Sequence, residues 1–332
     1  MSGPLYLPPD AFADNSGDPD LAADYLELAA FFSPNGQAFS QSITDALELS
    51  AEEDFDTVDK ELRAREEAAS GAVARISQRQ RILGSAYPFA VDDDGDVITF
   101  KESDLSFGNA AYLVSLILSH LRSVSEVLNG TSLYPTEAEI RDLRNYFQYL
   151  ATAGLAAEIG GPAWSFGHPR PDGSGFTEKL TEIWIALRDG CVNRDPSAPT
   201  RPKDDQVDVF AWREHRDGLP GFLLAAAQVA TGANWKDKSV KTQVAGVFGA
   251  RWFNPQPVTV LVAYHIVPFA RPDEKFRDDV LLLGNILHRI RLPRRVTEAE
   301  ELAAKGLTIE AFDQLPKIVS WLQTYKHRGV SE

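Results

Sequence analysis

The sequence predicts an α/β protein in two parts: an acidic α-helical domain over residues 1–165 and a mixed-sheet α/β domain over 166–332. Three observations predict it. Apolar residues recur at helical spacing through most of the first half, whereas short β-branched runs alternate with helical stretches in the second. A Gly- and Pro-rich segment, GGPAWSFGHPRPDGSG (160–175), separates the two textures. Charge divides there too. Residues 1–165 carry 10 Lys and Arg against 27 Asp and Glu, a net charge of −17, whereas residues 166–332 carry 23 against 21, a net charge of +2.

In the first half, residues 21–31 (LAADYLELAAF) and 38–50 (AFSQSITDALELS) have helical periodicity. Residues 56–83 are rich in Glu, Arg and Ala with few apolar anchors, so one long solvent-exposed helix or hairpin arm is expected. DDDGD (92–96) has turn chemistry and precedes a short apolar alternation. It does not fit a calcium loop, because the twelfth position from Asp92 is Ser103 where a Glu is needed. Residues 109–128 read as a buried helix. Pro135, Glu137 and Glu139 open another, with Ile140, Leu143, Phe147 and Leu150 as its apolar face.

The second half begins with an amphipathic helix over 175–190, carrying Phe176, Leu180, Ile183, Trp184 and Leu187 on one side and Gly190 as its stop. A Pro- and Asp-rich loop (195–205) follows. Two strands, 207–212 and 221–231, are joined by a turn over 215–220. GANW leads into a helix at 235–250, and VTVLVAYHIV (258–267) is a strand bounded by Pro257 and Pro268. Helices at 284–292 and 307–327 close the chain.

Composition narrows the chemistry. At 332 residues and 44% hydrophobic, the chain buries an ample core without a staple. Cys191 is the only cysteine, which excludes an intrachain disulfide and a cysteine-based zinc site. The most apolar stretches, 110–121 and 221–230, fall short of the roughly 20 residues that span a bilayer. No basic-then-apolar leader is visible at the start. A cytoplasmic protein with no membrane partner is expected. There is no G-x-x-x-x-G-K-[ST], G-x-S-x-G or H-E-x-x-H. The six histidines are scattered, and His265, inside an apolar strand, reads as a buried, hydrogen-bonded side chain.

One passage concentrates chemistry. Asp208 opens an apolar strand, Gln228 closes the next, and Lys236, Lys238 and Lys241 follow. A carboxylate and an amide at the ends of buried strands need compensating partners. The order of these residues resembles the PD-(D/E)XK nuclease superfamily, especially its Mrr-like branch, over about residues 172–270; the first half resembles no family. The resemblance implies a restriction-endonuclease-like domain that cleaves DNA as a metal-dependent endonuclease, in prokaryotic restriction or antiphage defence. It implies Glu178, Asp208 and Gln228 as catalytic residues and ligands of Mg²⁺ or Mn²⁺. Gln228 would contribute only a neutral carbonyl, and Glu178 would restore the missing negative charge.

The superfamily lysine would stand at position 230, which is Ala230 here. Some members move that lysine into the following helix, which makes Lys238 the first choice and Lys241 the second. In a helix starting near Asn234, Asn234, Lys238 and Lys241 share a face, while Lys236 points about 160° from Lys238. The lysine would orient and help deprotonate the attacking water and stabilise the transition state.

Lys236, Lys241, Arg213, Arg291, Arg294 and Arg295 are the candidate nucleic-acid contacts, the last three within the dense HRIRLPRR cluster. DNA would thus approach the second half. The acidic half, which repels a polyanion, would serve homo-oligomer or protein-complex formation. A single site nicks one strand, so double-strand cleavage would require self-association. Ala230 and the neutral Gln228 also suit an alternative, a non-catalytic nuclease-fold scaffold or nucleic-acid-binding subunit. A third possibility, an acidic nucleic-acid mimic, draws on the −17 half alone.

Overall fold

The carboxylate of Asp18 accepts the amide N–H groups of Asp20 (2.9 Å) and Leu21 (3.3 Å), so it caps helix α1 (Pro19–Phe32), with Pro at its first position. The computed structural model describes residues 5, 18–48, 58–121, 127–128, 131–271 and 273–330. They divide into two units, residues 1–141 with 317–332, and residues 142–316.

In the first unit, α1 is followed by β1 (Gln37–Phe39), α2 (Gln41–Glu48), α3 (Val58–Leu83), β2 (Phe89–Val91), β3 (Val97–Phe100) and α4 (Phe107–Ser119). The strands form an antiparallel sheet in the order β1-β3-β2. DDDGD is the β2–β3 turn, and Asp92 Oδ1 accepts the N–H groups of Asp96 (2.8 Å) and Val97 (3.1 Å). The expected long helix is present as α3, but it is not solvated all round. Ala72, Ile76, Arg79 and Leu83, at spacings of four, three and four, are buried. Arg79 Nη1 reaches Asp24 and Glu27, both at 2.7 Å, so a charged residue carries the packing that the sparse apolar pattern hid. The expected helix at 109–128 begins two residues early and ends at Ser119, and residues 122–126 of that expectation lie outside the described residues. Likewise the 38–50 helix is β1 followed by α2, with residues 49–50 outside the description.

The chain passes into the second unit within α5 (Glu137–Ile159), at residues 141/142, and not at the expected 165/166. The reason lies in the partners of α5. Gln148 donates to Ser165 Oγ (2.8 Å), and Glu158 pairs with Arg295 (2.8 Å), so the latter part of α5 belongs with the second unit's sheet. The Gly/Pro run lies within that unit and holds its first strand together with the turns on either side. The rest of the unit is β4 (Ala163–Ser165), α6 (Phe176–Leu187), β5 (Val209–Arg213), β6 (Leu223–Val229), α7 (Val240–Gln243), α8 (Gly249–Trp252), β7 (Leu261–Ile266), α9 (Asp273–Leu283), β8 (Asn285–Leu287) and α10 (Leu292–Ala304). A π-helical turn, Val244–Phe248, joins α7 to α8. The last helix, α11 (Leu315–Lys326), starts in this unit and returns the chain to the first.

The sheet order is β4-β5-β6-β7-β8: antiparallel pairs up to β6, then parallel pairs from β6 to β8. Alternate residues Phe210 and Trp212 of β5, with Leu224 and Ala226 of β6, pack against Leu180, Ile183 and Trp184 of α6 and against Phe248 and Trp252. The helix expected at 284–292 is instead the edge strand β8 and a turn. Gly284, at φ +91°, ends α9, and a Cβ there would lie 2.6 Å from the Ala263 carbonyl oxygen. That close approach lets Ile286 and Leu287 pair with β7. No helix among the described residues is long and apolar enough to cross a membrane.

Candidate functional site

Asp208 stands where three segments meet. Its N–H donates to the Ala227 carbonyl (2.8 Å), and its carbonyl accepts from Phe166 (2.7 Å) and Gly167 (2.9 Å) in the loop after β4. Those bonds fix the backbone, and the side chain turns to the end of β6. Oδ2 accepts the Val229 N–H (2.8 Å) and a short hydrogen bond from Gln228 Nε2. Oδ1 accepts no hydrogen bond from the described residues, and both side chains are buried. Burial, followed by the negative charge of Asp204, pushes the Asp208 carboxyl up to about 7, against the opposing pull of the Val229 N–H and of Lys238.

Gln228 pairs in register with His265 of β7, so the two side chains share a sheet face. Gln228 Oε1 is buried without a hydrogen-bond partner. With its amide nitrogen on Asp208, the carbonyl is left over. Turning the amide would set a carbonyl against a carboxylate, which a proton or a cation between them would stabilise.

The three lysines separate clearly. Lys236 Nζ pairs with buried Asp279 (2.7 Å), and Lys241 Nζ donates to the Leu281 carbonyl (2.8 Å). Lys238 is exposed and has no ion pair or hydrogen bond among the described residues, but its charge acts on Asp208. The helical-face expectation for Asn234, Lys238 and Lys241 is corrected. Residues 235–237 make a single 3₁₀ turn, Lys238 is non-helical at φ −115°, ψ 71°, and α7 starts only at Val240. Lys238 is delivered by a loop whose Trp235 is buried against the His265 ring, with ring centres 5.7 Å apart.

Glu178 makes no hydrogen bond or ion pair with Asp208, Gln228 or Val229 among the described residues. It is an exposed residue of the first turn of α6, where its Oε2 accepts the Gly175 N–H (3.2 Å). α6 lies between β4 and β5 in the chain, and the helix that approaches Asp208 is α5. A Cβ on Gly167 would stand 2.5 Å from Asp208 Oδ1 and 2.6 Å and 2.8 Å from the nitrogen and oxygen of the Gln148 amide. Gln148 and Gly167 are therefore neighbours of the candidate site that sequence reasoning missed. Gln148 sits among apolar helix positions, and Gly167 reads as one more loop glycine.

The basic candidates are mostly engaged elsewhere. Arg213 ends β5, five residues from Asp208 and so about 16 Å along the strand at ~3.3 Å per residue. Arg291 stacks over Phe276 (4.4 Å) and donates to the Ile286 carbonyl (3.2 Å). Arg295 pairs with Glu158 and Glu298, and Arg294 lies 3.5 Å from Glu298. HRIRLPRR is thus a structural ion-pair region more than an open phosphate surface.

No three His, Cys, Asp or Glu side chains are grouped to hold a metal among the described residues. The oxygens available at the site are Asp208 Oδ1 and the leftover Gln228 carbonyl, hard donors of the kind Mg²⁺ or Mn²⁺ takes, with the charge of Asp204 acting on Asp208. Comparison of the chain with protein-family models, curated proteins and solved structures gives no match.

Proposed function

We propose that residues 142–316 form a metal-dependent phosphodiesterase that cleaves DNA, with Asp208, Gln228 and Lys238 as its working residues. One observation carries this reading. A buried carboxylate and an amide lie side by side at the ends of adjacent strands, and the charge of Lys238, the one lysine of the three with no ion pair or hydrogen bond among the described residues, acts on the carboxylate. The strand pattern supports it. An antiparallel β4-β5-β6 meander is followed by a helical crossover to parallel β7, with the acid opening the second strand and the amide closing the third, as in the PD-(D/E)XK resemblance.

In this reading Asp208 Oδ1 and the Gln228 carbonyl hold Mg²⁺ or Mn²⁺, with Asp204 adding negative charge. The ion supplies neutralisation of the phosphate and a more acidic water. Lys238 orients the attacking water and stabilises charge that develops on the phosphate oxygens. Glu178 has no part in the site, and Gln148 borders it as a neutral amide. The resemblance suggests a restriction or antiphage defence role, and the acidic first half suits contacts with protein, including further copies of the chain, better than with DNA.

The test is nicking of supercoiled plasmid by the full chain. We expect divalent-dependent nicking that falls at least about a hundredfold in Asp208→Asn and in Lys238→Ala, a loss typical of removing general acid–base or electrostatic groups. Cleavage unchanged in both variants would refute the assignment. The hydrogen bond from Gln228 to Asp208 favours a second reading, a non-catalytic nuclease-fold scaffold in which the two groups satisfy each other and no ion enters. Absence of nicking with any divalent ion, with folding intact, would favour it.

A further inference from the structure

The buried row does not end at Gln228. His265 is its register partner on β7, fully buried, and neither ring nitrogen makes a hydrogen bond. The Trp235 backbone bears on the ring without meeting either nitrogen at hydrogen-bond geometry. Gln228 Oε1, His265 Nδ1 and His265 Nε2 are thus three buried polar atoms without partners on neighbouring residues of one sheet face. Buried polar groups are nearly always satisfied, so such a concentration calls for an occupant. A buried water would answer the hydrogen bonds. It would leave unanswered the negative charge of Asp204 acting on Asp208, which Lys238 opposes only from an exposed position.

We infer that His265 is the third protein donor of the cation site, so that Asp208, Gln228 and His265 together bind a first-row transition dication, Mn²⁺ ahead of Mg²⁺. This rests on the metal-dependent reading above and specifies its ion. An oxygen-only set suits Mg²⁺, whereas an imidazole nitrogen shifts the preference toward transition ions. The Trp235 ring packs against the imidazole, with ring centres 5.7 Å apart. The same indole lies under the charges of Arg271 (4.9 Å) and Lys236 (5.1 Å), so the cover over the row is itself anchored.

Calorimetric titration of the full chain with Mn²⁺ and with Mg²⁺ tests this without an activity readout. Wild type should bind Mn²⁺ about tenfold or more tightly than Mg²⁺. His265→Phe keeps a ring against Trp235 and removes two buried unpartnered nitrogens, so its metal-free melting temperature should equal or exceed wild type. It should lose about tenfold or more in Mn²⁺ affinity while Mg²⁺ affinity stays within about twofold. Unchanged Mn²⁺ affinity in His265→Phe would overturn the inference yet leave the phosphodiesterase reading standing, provided Asp208→Asn abolishes binding. Binding that survives Asp208→Asn, or no binding by wild type, would remove both. If His265→Phe fails to fold, proton NMR of wild type decides. Substoichiometric Mn²⁺ should broaden one buried imidazole first, and uniform or absent broadening would count against the site.

Discussion

Asp208 shows how much chemistry a single buried carboxyl can concentrate. Its ordinary ionisation lies near 3.8, and in the fold it is pushed up to about 7 by burial and by Asp204. The native state therefore holds the proton more tightly than the unfolded chain does. The stability this contributes is fully present below about pH 4 and is lost as pH rises through about 7. Asp208→Asn should consequently melt close to wild type near pH 4.5 and above it near pH 8, as read by thermal denaturation in the absence of divalent ions. An equal difference at both pH values would mean that the carboxyl is not destabilised by its surroundings. In the sequence, Asp208 and Gln228 were legible because polar groups at the ends of apolar runs are conspicuous. Glu178 instead bonds the backbone at its own helix start, since a glutamate in the first turn of a helix is equally suited to capping. Gln148 and Gly167 carried no sequence signal, because their importance comes from a close approach between segments distant from each other along the chain.

At the scale of elements, the lysine-bearing loop is the piece that decides the site. Trp235 is buried beneath two cations, and Asp279, 3% exposed, binds both Lys236 (2.7 Å) and Arg271 (2.6 Å). The Arg271 and Lys236 pairs also hold the Asp279 carboxyl below its ordinary range. This clamp fixes the loop from which Lys238 emerges. Asp279→Asn should cost about 1–3 kcal/mol in urea denaturation, and it should slow cleavage beyond what the lost stability explains. Unaltered cleavage at temperatures well below melting would show that Lys238 does not depend on the clamp. The strands and α6 were readable from alternation and helical spacing. The lysine loop was read as helix because its Lys and Asp residues are compatible with one, whereas burial of Trp235 holds it in a short turn. The reading of 284–292 failed in a related way, with Gly284 converting an apolar run into an edge strand.

For the whole molecule, the split charge leaves the second half as the one that a polyanion could approach, and the described arginines bear on how much of it is free to do so. Arg291, Arg294 and Arg295 are engaged within the protein, which removes the densest basic cluster from the candidate phosphate contacts. DNA affinity should fall by no more than about tenfold over a fourfold rise in salt, the dependence of about two phosphate contacts. A drop of about a thousandfold would reveal an extended basic surface instead. The two-part organisation was legible from composition, but the boundary was not. The Gly/Pro run holds β4 and its flanking turns, whereas the division falls within α5, whose polar side chains reach β4 and α10.

On the proposed reading Lys238, alone among three neighbouring lysines, completes a phosphodiesterase centre with Asp208 and Gln228. Single-turnover plasmid cleavage by Lys236→Ala, Lys238→Ala and Lys241→Ala, compared at saturating divalent ion, tests it most directly. Lys238→Ala should lose about a hundredfold or more, while the other two, whose amines serve Asp279 and the Leu281 carbonyl, should stay within about tenfold of wild type. Full cleavage by Lys238→Ala, or an equal loss in all three, would deny Lys238 that role.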